Sequence, residues 1–234
     1  MAGIRERARA DTVAEVVRLA RVQVAEAGAA SLSLRAIARD LGVVSSAVYR
    51  YFASRDELLT RLIIDSYDRL GAAAQAADER VKRRDDFAAR WKAIANGIRE
   101  WAVANPSEYA LLFGTPVPGY AAPHDTIGPA SRYTGVLLSL LAEMEAAGRC
   151  VDWRVPPRLR ADTAGLRARI DLQVSDPLLA AGMVAWANLM GAISLELFGH
   201  LHNVIDTPGA LYEAVVQEHS DRLFAAPVTR PTPC

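Results

Sequence analysis

The amino-acid sequence predicts an all-α protein: an N-terminal three-helix unit built on a helix-turn-helix, joined by a long helix to a C-terminal helical domain. Three observations point there. Half of the 234 residues are hydrophobic (51%) while aromatics are few (7%), and Ala, Leu and Arg, all good helix formers, are abundant. Apolar residues recur at three- and four-residue spacing along most of the chain. Gly, Pro and Ser-x-x-Glu signals stand where those periodic stretches begin and end.

The first ten residues carry Arg5, Arg7 and Arg9. Such an arm either lies along DNA phosphates and the minor groove or frays as a chain end. A first helix is expected over about 11–28, with Val13, Val16, Val17, Ala20, Val24 and Ala27 as its stripe and Gly28 closing it. Residues 32–52 then read LSLRAIARDLGVVSSAVYRYF. Leu34, Ile37, Ala38 and Leu41 fall at helical spacing, Ser33 is placed to cap them, and Gly42 follows the last apolar position. A second short series is Val44, Val48, Tyr51 and Phe52. Two short helices joined by a tight Gly turn are the sequence image of a helix-turn-helix. With Val48 and Phe52 inward, Ser46, Ala47, Tyr49 and Arg50 point outward as a short, polar face that can enter a major groove. A helical hairpin that merely packs remains the competing reading.

Ser54 and Glu57 form a capping-box pattern that opens a long helix over about 55–78, through Leu58, Leu59, Leu62, Ile63, Tyr67 and Leu70. The mixed-sign patch 78–86 reads as a solvated boundary. Helices are expected over about 86–104 and 106–113, the second with Asn105 as cap and Pro106 at its first position. The stretch 114–128 holds three Pro and three Gly and reads as a loop; a helix over about 129–147 follows. Residues 157–170 can hold a polar helix. From Pro177 to Leu195 no residue is charged. Asn188 within this span and the lack of Lys or Arg anchors favour a core or interface helix over a membrane span. A final helix is expected over about 208–224, and 226–234 is a Pro-rich tail expected to be disordered.

The run LRAIARDLGVVSSAVYRYFASRDELL resembles the DNA-binding domain of TetR-type transcriptional regulators. The match runs through Ala38, Leu41, Gly42, Val43, Ala47, Val48, Tyr49, Tyr51 and Phe52, then Arg55, Asp56, Glu57, Leu58 and Leu59. It departs at Val44, where the family usually has a capping Ser; Ser45 is the residue placed to take over. Later, Pro106, Tyr109, Leu111 and Phe113 match a short Pro-x-x-Tyr-x-Leu-x-Phe helix of one C-terminal type of the family. Trp186 and Gly191 match its Trp-x-x-x-His-Gly signature, with Met190 in place of the His.

The resemblance implies a ligand-responsive regulator, a repressor in the first instance, that binds a palindromic double-stranded DNA operator as a dimer. Residues 1–56 would form the DNA-binding domain and 57–225 the effector-binding and dimerisation domain. Residues expected at DNA are Arg5, Arg7, Ser33, Arg35, Ser45, Ser46, Ala47, Tyr49, Arg50 and Tyr51. The homodimer would form through helices 177–202 and 208–224, the most apolar late elements. An effector site is implied in the C-terminal domain. Its candidates are Trp91 and Trp101, Tyr109 and Phe113, Tyr133, and Met183, Trp186 and Asn188. Few charges lie on those faces, so the small-molecule effector should be mainly apolar. Ordinary core packing is the competing reading for each residue taken singly.

Other functions find less support. Lys plus Arg and Asp plus Glu both number 27, so net charge is zero, although residues 1–56 carry nine Arg against six acids. No Ser nucleophile elbow, Gly-rich phosphate loop or HExxH motif is present, and no cofactor or metal is expected. Cys150 and Cys234 make no CxxC or Cys/His cluster, and the N-terminus has no apolar signal core, which together read as a cytoplasmic, non-enzymatic protein. The alternative is a helical small-molecule-binding protein or enzyme with a non-functional helix-turn-helix; the outward Tyr49 and Arg50 count against it.

Overall fold

The computed structural model describes residues 2–224, and among these it is all-helical with no strand. The chain falls into two compact units, Met1–Arg69 with Ala104–Ser131, and Leu70–Val103 with Arg132–Cys234. The tail expected at 226–234, and Cys234 with it, lies outside the described residues.

In the first unit, α1 (Ala2–Ala27) begins well before the expected start, because residues 5–10, RERARA, are strong helix formers that continue it. The expected arm is therefore helical. Gly28, at φ 77°, stops α1 in the left-handed region and a 3-10 turn, Ala29–Ser31, follows. Then come α2 (Leu34–Asp40), α3 (Ser45–Tyr49) and the first part of α4 (Arg55–Arg80). The core of this unit joins Val16, Ala20, Leu34, Ile37, Val48, Phe52, Leu58 and Leu62. Helix α6 (Pro106–Phe113) lays Leu111 and Leu112 against that core. Asn105 stands at its cap position but its side chain makes no capping bond; Pro106, with no N–H to satisfy, starts the helix instead.

The second unit comprises the rest of α4, α5 (Phe87–Ala104), α7 (Ile127–Ala146), α8 (Pro157–Ile170), α9 (Asp176–Leu197) and α10 (Pro208–His219). Residues 157–170 are thus helical. Helix α9 ends at Leu197 rather than continuing to 202. Gly199, at φ 75°, closes it, and the His200 N–H reaches the Leu195 carbonyl at 3.1 Å. His200 and His202 consequently sit in a turn. The last element is split, α10 being followed by a π-helical turn, Ser220–Phe224.

Two features hold this unit. Gly97 of α5 approaches α4 so closely that a Cβ there would stand 2.6 Å from that of Ala77, which is why a residue without a side chain occupies it. Arg90, 1% exposed, binds Asp78 (2.8 Å) and Glu143, and Arg84 also pairs with Asp78. The patch expected to be simply solvated is therefore partly a structural anchor. Burial raises the Asp78 carboxyl, but the hydrogen bonds from Arg90 and Arg84 outweigh it and hold the group below its usual range.

Candidate nucleic-acid interface

Helix α3 is held in place by what precedes it. Ser33 caps α2, its hydroxyl accepting the Ala36 N–H at 3.3 Å, while its own N–H is donated to Gln23 Oε1. At the other end Gly42 sits at φ 69°. The Gly42 N–H bonds the Arg39 carbonyl and the Val43 N–H bonds the Ala38 carbonyl, both at 3.0 Å, closing a Schellman turn. Val48 (1% exposed) and Phe52 (5%) anchor α3 in the core.

What remains outside is Ser46, Tyr49 and Arg50, all exposed, with Ser45, Ala47 and Tyr51 lying nearby on the same short segment. Arg50 stands at the C-terminal cap position in a right-handed conformation, so the face turns on past the last helical residue. A hydroxyl, a phenol and a guanidinium on a helix about 10 Å wide match a major groove of about 12 Å. Arg35 is exposed on α2. Arg7 is exposed on the extension of α1; the Arg5 side chain is outside what can be described.

Two expectations are corrected here. Val44 is not inward: it is 72% exposed, because it precedes the helix, where the helical period no longer governs side-chain direction. Nor does Ser45 take over the cap; Val44 occupies that position without a side-chain acceptor and Ser45 is the first helical residue. Arg9, read with Arg5 and Arg7 as part of the N-terminal arm, lies over the Tyr51 ring at 5.6 Å. This joins the α1 extension to the segment following α3, a pairing across 42 residues that local patterning cannot reveal.

The α4 start carries its capping box in a modified form. Ser54 accepts from the Glu57 N–H at 3.1 Å, but Glu57 returns to the Ala53 N–H rather than that of Ser54. Arg55 donates to the carbonyls of Ala29 and Ala30, at 3.0 and 3.1 Å, tying the α4 start to the turn after α1.

Comparison with known proteins fits this geometry. Residues 16–62 match the model of bacterial regulatory proteins of the tetR family, and residues 91–219 match the tetracyclin repressor-like C-terminal domain. The chain belongs to the TetR family.

Its relatives include HTH-type transcriptional regulator Rv1816 of Mycobacterium tuberculosis and Mb1846 of Mycobacterium bovis. Each is 43% identical over 221 residues, covering 91% of this chain and 92% of the relative. Among solved structures, regulatory protein SCO4313 superposes with a TM-score of 0.77 at 33% identity, over 92% of this chain and 97% of that one. The TetR-family regulator PfmR from Thermus thermophilus, at 17% identity and a TM-score of 0.55 over 92% of this chain and 99% of its own, shares the fold. This TetR-family chain is thus a DNA-binding transcriptional regulator, a non-enzymatic class.

The residues expected at an effector divide between the units. Tyr109, fully buried, and Phe113 lie in the first, with ring centroids 4.9 Å apart, and Tyr67 meets Phe113 edge-on at 6.1 Å. In the second unit Trp91, Trp101 and Tyr133 are buried. Trp91 stacks on Phe224 at 4.9 Å and donates its indole N–H to the Val216 carbonyl. Asn188 meets His219 Nε2 at 3.0 Å, which explains how this exposed amide is satisfied. Burial lowers the His219 pKa below its ordinary value. Met183, Trp186 and Leu195 are exposed on α9, as is Phe198 at its C-cap. Helix α9 is also long and apolar enough to cross a membrane by length and composition, yet half of its most apolar window is buried within the protein.

Proposed function

We propose that this regulator is a repressor that binds a palindromic operator as a homodimer and is released by a small, mainly apolar effector. The observation that carries the DNA reading is the orientation of α3: Val48 and Phe52 are locked in the core while Ser46, Tyr49 and Arg50 are left outside. One such helix reads few base pairs, so specificity calls for two copies about 34–36 Å apart in a symmetric dimer.

The exposed apolar side chains of α9 supply the pairing surface, with α10 packed beside α9 within the same unit. In the functional division, residues 1–56 read DNA, α4 connects, and 57–225 serve effector and dimer. Trp91, Trp101 and Tyr133, all buried in the second unit, are the candidates for the effector there. Tyr109 and Phe113 lie instead in the first unit, where their rings meet. Met183 and Trp186 fit the dimer face better than a pocket. A protein that reads the chromosome works in the cytoplasm.

Binding of effector controls DNA only through a difference in affinity between the DNA-bound and released states. The test is fluorescence anisotropy at fixed salt, using duplexes selected from a random pool by the full-length protein. The Tyr49→Ala/Arg50→Ala double variant should lose selective binding while remaining folded by circular dichroism. Unchanged affinity would remove α3 from the reading role.

A further inference from the structure

We infer that Val44 reads a thymine methyl group in the operator, a specificity contact supplied by the residue at which this chain leaves the usual family pattern. The inference rests on the operator-binding reading above and assigns that surface one further residue and one base.

Val44 is 72% exposed, although Val is a residue that folding normally hides. It stands at the N-cap of α3 (φ −67°, ψ 142°), with its carbonyl accepting the Ala47 N–H at 2.9 Å and no side-chain cap bond. At that position Ser, Thr, Asp or Asn would satisfy an otherwise free N–H. Val therefore gives up a cap and gains no burial within the chain. Its neighbour Val43 is less exposed, at 44%.

The surroundings fit a base edge. Ser46 and Ala47, small side chains beside Val44, allow close approach to a groove floor, and exposed Tyr49 and Arg50 flank the same short helix. Thymine is the one base that presents a methyl group in the major groove, and apolar side chains recognise it there. A hydroxyl cap at this position would meet that methyl with a polar group. Val44 meets it with two methyls.

The experiment uses the full chain and its Val44→Ser and Val44→Ala variants, on a duplex selected from a random pool by the wild type. Deoxyuridine, which lacks only the 5-methyl group, replaces thymidine one symmetric pair at a time. Removing one methyl contact should weaken wild-type binding about fourfold per half-site, or about fifteenfold over both, the scale of burying one methylene-sized group. At that same pair Val44→Ser should bind thymidine and deoxyuridine duplexes equally, and Val44→Ala, which keeps one methyl, should retain only part of the difference. Val44→Ser restores a cap, so its melting temperature should hold or rise, separating lost recognition from lost folding. The inference is overturned if no thymidine pair is methyl-sensitive in the wild type, or if the variants keep the full sensitivity. Selective binding without methyl sensitivity overturns Val44 alone; failure to select any duplex overturns the operator reading and this inference with it.

Discussion

Two exposed faces of this molecule have opposite chemistry. On α3 and its C-cap the outward residues are Ser46, Tyr49 and Arg50, small or polar, on a helix of five residues and the one residue after it. On α9 they include Met183, Trp186, Leu195 and Phe198, large and apolar on a helix of 22 residues and its cap. Each face is anchored by a buried opposite side: Val48 under the first, and Leu178, Ala181, Ala185 and Leu189 under the second. The contrast separates partners by physics. A polar, cationic helix loses little in water and suits a hydrated, charged groove, whereas an apolar face gains most by being covered by another like itself.

The comparison breaks first at α9. Trp186→Glu places a charge on the face proposed to pair, twice per dimer, and should raise the dimer dissociation constant roughly a thousandfold, on the order of 4 kcal/mol. Sedimentation velocity at micromolar concentration should then show a monomer with an unchanged circular dichroism spectrum. A persistent dimer would place the pairing surface elsewhere.

The next effect is on α3. Arg50→Ala should cost roughly 1–3 kcal/mol of operator affinity at one base position if Arg50 reads a base. If it holds phosphate instead, all sequences should weaken alike and the slope of log affinity against log salt should fall by about one. Titrations at several salt concentrations on matched and single-mismatch duplexes distinguish the two. Loss of neither affinity nor salt slope contradicts the assignment.

Smaller still is the support beneath the reading face. Ser33→Ala removes the α2 cap seen at 3.3 Å and should lower stability by about 1 kcal/mol, with a proportionate fall in melting temperature. Dimer affinity should not change.

The smallest concerns His219, which lies beside Asn188 and packs edge-on against Trp91. Burial lowers its pKa in the folded chain, so the unfolded chain takes up the proton first as pH falls. The stability contributed by neutral His219 should be present above its ordinary value of 6.5 and decline from there towards the lower folded value. His219→Phe should flatten that part of a melting-temperature profile; an unchanged slope would assign it to another group.

The reading head was legible because its signals are local. Gly42 specifies its turn through a positive φ, Ser33 caps three residues ahead, and Val48 and Phe52 are four apart. The resemblance to the TetR family rested on that same compact run. What escaped depends on contacts distant in sequence or on departures from regular helix. Val44 falls on the helical period but precedes the helix. The α1 start lies earlier than the apolar stripe shows, because residues 5–10 extend the helix by propensity and not by periodicity. The resemblance groups Tyr109 and Phe113 with Trp91 in one C-terminal domain, but they pack in the unit that holds Tyr67. Arg90 gave no local sign of being buried, since its partner Glu143 lies 53 residues away.

The most direct measurement of the two-face account is the stoichiometry and footprint of the full chain on a selected duplex, by native mass spectrometry with hydroxyl-radical footprinting. The account predicts two chains per duplex and two protected half-sites with centres about one helical turn apart, or a multiple of it. Both half-sites should lose protection together in Trp186→Glu. One chain protecting a single half-site, with affinity untouched by Trp186→Glu, would contradict it.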